Sequence, residues 1–481
     1  MTSPDRLRQV SFLPEPKGPP GPPTAQRGCP ALMPLPGGDL GAAREIPDAE
    51  APPGSRTLAR QEDLVATTTS PDAVSIDPAR AEPTSIADFY VSVVSACADR
   101  SAMLARHRDE RPLGNRPRAE ERLLAQIDAI LACGPGAIRD LEAYWHARRD
   151  DEEPYRIWPV VFTLACLDGP KPLLAIERVI ESLPEDALPR ALCAADCITA
   201  SPHPHWMPLA LDLLASPHPL ARVVGIEVLS RRQSFAPEQA DEHLQDPSPH
   251  VIAAAIRALA RHPDARLPSP RIAACLADAD PTIAAEAARA LTLWGSRDAV
   301  QALRAGAGLG RVLSPIAQIE ILVLAGSLED LPLVQSILGR GRVTPAVLRA
   351  TGRLGSAGAW SFLLHYLADS DLARVAREAL ETVFGDLVPG GKEGRSPAAW
   401  REAIARKGLD PATRYRRGRP WSPATVAAEC QSGVLPRAEV ERRVDELRAR
   451  TSRFHAIDTG AFWPDLGPAL ADLGRTPGGS P

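Results

Sequence analysis

Pro219-Leu-Ala-Arg-Val-Val-Gly-Ile-Glu-Val-Leu229 decides the fold, because it comes back. Its second form is Pro249-His-Val-Ile-Ala-Ala-Ala-Ile-Arg-Ala-Leu259, and its third is Pro281-Thr-Ile-Ala-Ala-Glu-Ala-Ala-Arg-Ala-Leu291. A degenerate copy runs from Ser370 to Leu380. Each of the first three opens on a proline, continues through small apolar residues and closes on leucine. Proline is tolerated in a first helical turn, whose amides need no intrahelical acceptor. Alanine lets a neighbouring helix come close. A period of roughly 30 residues with this content predicts stacked helix pairs, each unable to bury its apolar face without its neighbours.

Working outward, the same punctuation predicts helices over Tyr155 to Cys166, Pro172 to Ser182, Leu188 to Thr199, Trp206 to Leu214, Pro219 to Arg231 and Ala236 to Leu244. Further on they are expected over Pro249 to Arg261, Arg271 to Ala277, Pro281 to Leu293 and Asp298 to Leu303, and the pattern continues to Phe384. Asp246, Ser248 and Asp280 stand where a side chain caps a first turn. Ahead of the array, Ile86 to Leu104, Arg118 to Leu131 and Ala137 to Arg149 have helical spacing, with a charged loop expected from Arg106 to Pro117. Beyond it, Pro411 to Pro423 reads as a basic non-helical link. Pro423 to Glu429 and Arg437 to Thr451 read as helices, and Phe462 to Leu473 as a capping element. The expected organisation is a Pro-rich tail (1–82), an N-terminal helical cap (83–150), the repeat array (151–385), a basic link with a C-terminal helical cap (386–475) and a frayed tail (476–481). Between Met1 and Arg80 stand 15 prolines, so that tail is expected to stay disordered.

Composition agrees with an all-α chain. Alanine and leucine dominate an apolar fraction of 44%, and β-branched runs are scarce. A net charge of -5 gives no general attraction to nucleic acid or anionic lipid. No uninterrupted apolar run reaches membrane-spanning length, and the start lacks the apolar core of a signal peptide. Membrane insertion is not expected, and a soluble, cytoplasmic protein is. The eight cysteines are scattered rather than spaced as a disulfide framework.

The central phrases resemble the HEAT-like repeats also seen beside phycobilisome lyases, through proline placement, paired small residues and terminal leucine. Over residues 86 to 475 the chain also resembles a proteobacterial HEAT-repeat family often encoded near type VI secretion genes. The residues carrying that resemblance are Tyr415-Arg-Arg-Gly-Arg-Pro-Trp-Ser-Pro423 and Leu435-Pro436-Arg437. It implies an α-solenoid associated with secretion or its cargo. The Pro-rich N-terminal tail departs from that family's pattern.

Arg414, Arg416, Arg417 and Arg419, with Tyr415 and Trp421, form the strongest candidate for partner binding. Guanidinium forks suit carboxylate surfaces and the aromatics can stack. The bland alternative is a solvated linker whose arginines pair with neighbouring acids. Cys193, Cys197, His203 and His205 carry zinc-ligand chemistry, but the thiols sit in an apolar helical phrase and read as core. Trp145 with His146, and Trp360 with His365, read as packing pairs. His455 and Asp458 have the types of an acid–base pair, without a nucleophile or oxyanion device beside them. Nucleotide-loop, zinc-protease and nucleophile-elbow motifs are missing, and no cofactor is expected. The expected function is a non-enzymatic scaffold or adaptor for a protein partner, in the secretion setting an effector or spike component. The alternatives are an immunity protein masking a toxin and, less favoured, an enzyme of unknown class.

Overall fold

A computed structural model describes residues 85–262, 270–306, 308–385, 396–410, 412–455 and 457–473. The expected tails at 1–82 and 476–481, and a loop expected at Gly390 to Arg395, lie outside the described residues. Those described belong to one compact unit within 77–481, considered by itself.

Helix α1 (Ile86–Glu110) pairs with α2 (Arg116–Leu131), and α3 (Ala137–Arg148) packs on α1. Helix then alternates with helix: α4 (Ile157–Leu164) and α5 (Pro170–Glu181), α6 (Leu188–Ala200) and α7 (Trp206–Ala215), α8 (Pro219–Arg231) and α9 (Pro237–His243), α10 (Pro249–Arg261) and α11 (Pro270–Ala274), α12 (Pro281–Leu293) and α13 (Asp298–Arg304). A single turn, α14 (Leu309–Val312), leads to α15 (Pro315–Ala325) and α16 (Leu331–Arg340), α17 (Pro345–Leu354) and α18 (Ala357–His365), then α19 (Ala373–Phe384). After α20 (Pro397–Lys407) come a small hairpin, β1 (Tyr415–Arg416) and β2 (Arg419–Pro420), and three helices, α21 (Pro423–Gln431), α22 (Arg437–Thr451) and α23 (Trp463–Ala471).

Helices α4, α6, α8, α10, α12, α15, α17 and α19 stack in that order as an inner row. In α8 the run from Val223 to Ser230 is wholly buried, as a helix covered on several sides must be. Small residues set the spacing. A Cβ at Gly352 of α17 would lie 2.7 Å from the Ala379 carbonyl of α19, so only glycine permits that approach. The core is divided along the stack into separate apolar clusters, as expected where each pair buries itself against its neighbours.

The repeats begin where their prolines predict. Pro219–Arg231, Pro249–Arg261 and Pro281–Leu293 have the expected ends. The Asp280 carboxylate accepts from the Thr282 and Ile283 amides, a cap as anticipated. Ser248 caps nothing with its side chain; Asp246 instead accepts from the Ser248 amide and pairs with Arg222. The loop expected from Arg106 is a correction. Helix α1 runs on to Glu110 and stops two residues before Pro112, because Arg108 is drawn in to pair with Glu120 of α2 at 2.9 Å.

The array curls round its own C-terminal segment. Close together near the start of α22, Arg437 pairs with Asp196 of α6 while Glu439 accepts from Arg353 of α17. Residues two apart point to roughly opposite sides of a helix. Helices α6 and α17 are five steps apart in the inner row, roughly 40–50 Å in a straight stack at ordinary interhelical spacing. The 15 residues of α22 are only about 22 Å long. The row must therefore bend round α22. The N-terminal end joins the same closure. The Leu113 and Gly114 amides donate to the Leu435 and Gly433 carbonyls, and Leu113 sits in an apolar cluster with residues of α21, α22 and α23.

Candidate interaction surface

Helix α22 reads Arg-Ala-Glu-Val-Glu-Arg-Arg-Val-Asp-Glu-Leu-Arg-Ala-Arg-Thr, charged on nearly every side. Such a helix normally sits in water. Here its charges are matched by the surrounding row. Arg289 of α12 meets Asp445 at 2.5 Å, Glu320 of α15 faces Arg442, and Arg443 meets Glu429 of α21 at 2.8 Å. Two of the row's partners for α22, Arg289 and Arg353, share a register with residues that tie the row's own helices together. Counting from the opening residue, the ninth position of the phrases beginning at Pro219, Pro249, Pro281, Pro345 and Ser370 is Glu227, Arg257, Arg289, Arg353 and Glu378. Glu227 is fully buried and accepts from Arg257 and Arg261; Arg257 also reaches Glu286, tying α8, α10 and α12 together.

The basic phrase before α21 caps the row. Tyr415↔Pro420 and Arg416↔Arg419 pair across a two-residue turn, Arg417-Gly418, with φ of 46° and 74°. Two positive φ values at the turn suit the twist of a tight hairpin. The turn amides of Arg417 and Gly418 donate to the Thr382 and Val383 carbonyls at the end of α19. The Tyr415 amide donates to the Gly355 carbonyl just past α17, where a Cβ on Gly355 would stand 2.5 Å from the Tyr415 oxygen. Arg414 and Arg450 both donate to the Gly326 carbonyl, and Arg450 also to Val323, at the end of α15. Orphan carbonyls of three successive inner helices thus receive donors from one segment, with cations at the negative ends of the helices.

The six residues marked from sequence therefore divide. Tyr415 and Arg416 are buried, and Arg416 donates through Nη2 to both oxygens of Glu446, at 2.8 and 2.6 Å. Trp421 donates to the same carboxylate and lies beneath Arg450. Burial, with Arg450 alongside, draws the Arg414 pKa down to about 9. The linker reading is corrected to this extent: the segment is a docked hairpin whose inward arginines already have internal acceptors. Arg417 and Arg419 project outward.

Arg417 looks into a cleft of about 980 Å³ between the first residues of α22, the end of α1 and residues of α6, α17 and α19. Arg349, Arg374, Glu378, Glu381, Asp109 and Glu110 line it, together with Val434, which is 54% exposed. Smaller cavities of about 340 and 210 Å³ flank α22 further along.

The remaining candidates are placed as follows. Cys193 and Cys197 are buried in α6, and the Cys197 thiol lies 3.7 Å from the Trp158 carbonyl. His203 accepts the His205 amide through Nδ1. Among the described residues no group of three or more His, Cys, Asp or Glu side chains is arranged to hold a metal ion. Trp145 is buried and donates to Ser182, and Trp360 packs on Phe384. His455 and Asp458 both line the smallest of the three cavities, where Asp458 accepts the Gly460 amide.

No family model matches the chain, and no curated protein matches it. Among solved structures, it is similar to an engineered protein at 16% identity and a TM-score of 0.25, over 74% of this chain and 99% of that one. A likeness that loose carries no argument, and the fold rests on the helix pairing itself. The chain is an all-α helical-repeat protein. Its architecture, with repeated packed helix hairpins, is consistent with a non-catalytic scaffold for protein–protein interaction. No described helix is long and apolar enough to cross a membrane.

Proposed function

We propose that the protein is a non-enzymatic adaptor, working in the cytoplasm, that holds a folded protein partner at the charged cleft beside the start of α22. The observation that carries this reading is the cleft itself: about 980 Å³, lined by charges of both signs and an exposed valine. Mixed charges around an apolar contact fix the register of a folded partner rather than attract a polyanion. The inner face that an open solenoid would offer is filled by α22, so recognition falls to this cleft and its rim. The resemblance to repeat proteins encoded near type VI secretion genes makes a secreted effector or a spike component the partner class.

The test is co-elution of the full chain with effector and spike proteins encoded beside its gene. One of them is expected to form a stable complex, weakened at least tenfold by Arg374→Glu combined with Arg417→Glu. Both side chains lie on the wall of the cleft, so the array is expected to keep its stability. Failure of every neighbouring protein to bind, or a complex indifferent to the double reversal, would overturn the assignment.

A further inference from the structure

The geometry points to a second binding site, for a carboxylate borne on a small apolar body, in the pocket where the ends of α8, α10 and α12 meet α22. The pocket has a volume of about 210 Å³. Leu293, Val444, Ile457 and Phe454 give it apolar walls, and Arg448 and His455 give it polar ones. Apolar walls with a few convergent polar groups are the usual make-up of a small-ligand site.

The charges in the pocket single out Arg448. Arg231 is paired with Asp196, Arg261 with Glu227, and Arg289 with Asp445. The three lining carboxylates are engaged as well: Asp445 by Arg289, Glu441 by Arg437 and Thr459, and Asp458 by the Gly460 amide. Arg448 has the face of Phe454 beneath it at 4.9 Å and, among the described residues, no hydrogen bond or salt bridge; Asp445, already held by Arg289, attracts it without pairing. Burial lowers its pKa, the mark of a cation set into a partly dry wall without full compensation. Beside it, burial and the neighbouring Arg453 and Arg448 lower the pKa of His455, so that near neutrality the ring offers one donor and one acceptor. A planar carboxylate matches the guanidinium fork, and an aliphatic or aromatic body fills the space against Leu293 and Val444. A phosphate ester would bring a second charge that no other uncommitted cation in the pocket answers. Two sources share this chemistry, a free small carboxylic acid and the C-terminal residue of a peptide. The site is separate from the cleft and does not depend on the partner proposed for it.

Calorimetric titration of the full chain tests the assignment. N-acetyl-leucine is expected to bind and N-acetyl-leucinamide to bind at least tenfold more weakly. Arg448→Gln should abolish that difference while leaving the urea midpoint within experimental scatter. A hexapeptide ending in leucine that binds more tightly as the free acid than N-acetyl-leucine would assign the site to a chain terminus. A weaker peptide would assign it to a small acid. Acid and amide binding alike in the wild-type chain would overturn the proposal whatever the variant does. So would failure of both acids to bind, or an acid preference that survives Arg448→Gln.

Discussion

Glu446→Ala is expected to cost about 3–5 kcal/mol and to loosen the C-terminal segment from the array. The carboxylate is fully buried. Its two oxygens both accept from Arg416 Nη2, one also accepts the indole proton of Trp421, and Arg450 stands 3.9 Å away. Removing it leaves Arg416, 1% exposed, with neither water nor anion. Such a pair adds little net stability over a packed apolar pair, but breaking it from one side is expensive. Accordingly, Glu446→Leu combined with Arg416→Met should recover most of the loss. Urea unfolding of the three proteins checks both statements. A single variant within about 1 kcal/mol of wild type would show that Glu446 is not the anchor of the hairpin.

Acid should release the same segment. Burial by itself would raise the Glu439 pKa, but Arg353, Arg443 and Arg442 surround the group and hold it at about 2. Glu446 and Glu441 are likewise depressed against burial, chiefly by Arg416 and Arg437 respectively. A carboxylate whose folded pKa lies below its unfolded value near 4.3 contributes its stability above that value. The contribution drains away as the pH falls toward the folded pKa. Stability is therefore expected to hold between pH 7 and about 5 and to fall between about 4.5 and 2, with Glu439 alone worth roughly 3 kcal/mol. Glu439→Gln should be less stable at pH 7 yet flatter on acidification, so that the two curves converge near pH 2. Parallel curves would mean that the charge of Glu439 contributes nothing to the fold.

The array was legible because its signals are local. Pro219, Pro249 and Pro281 start helices, and the apolar run after each has one reading. The hairpin was partly visible: Arg417-Gly418 between two short segments is a turn signal, but the surrounding arginines suggested solvent. Helix α22 was located to the residue, but its setting was not legible. Charges on every side suggest exposure, and only the encircling helices turn them into internal partners. A trace of this existed in the phrases, where one charged residue recurs at the ninth position of otherwise apolar helices. Arg289 and Arg353 were there to be matched against Asp445 and Glu439 of α22. The candidate site was less accessible, since the cleft joins α1, α6, α17 and α19 with the start of α22, elements far apart along the chain. Which arginines of the basic phrase face inward depends on that closure, not on their spacing.

Amide hydrogen exchange along α22 tests most directly whether the array closes round its own helix. Under native conditions the amides of Val440 to Leu447 are expected to exchange as slowly as those of α12 and α15, and to lose that protection together with the hairpin in Glu446→Ala. Fast exchange throughout α22, beside a protected inner row, would contradict the closure and leave an open solenoid with a loosely attached cap.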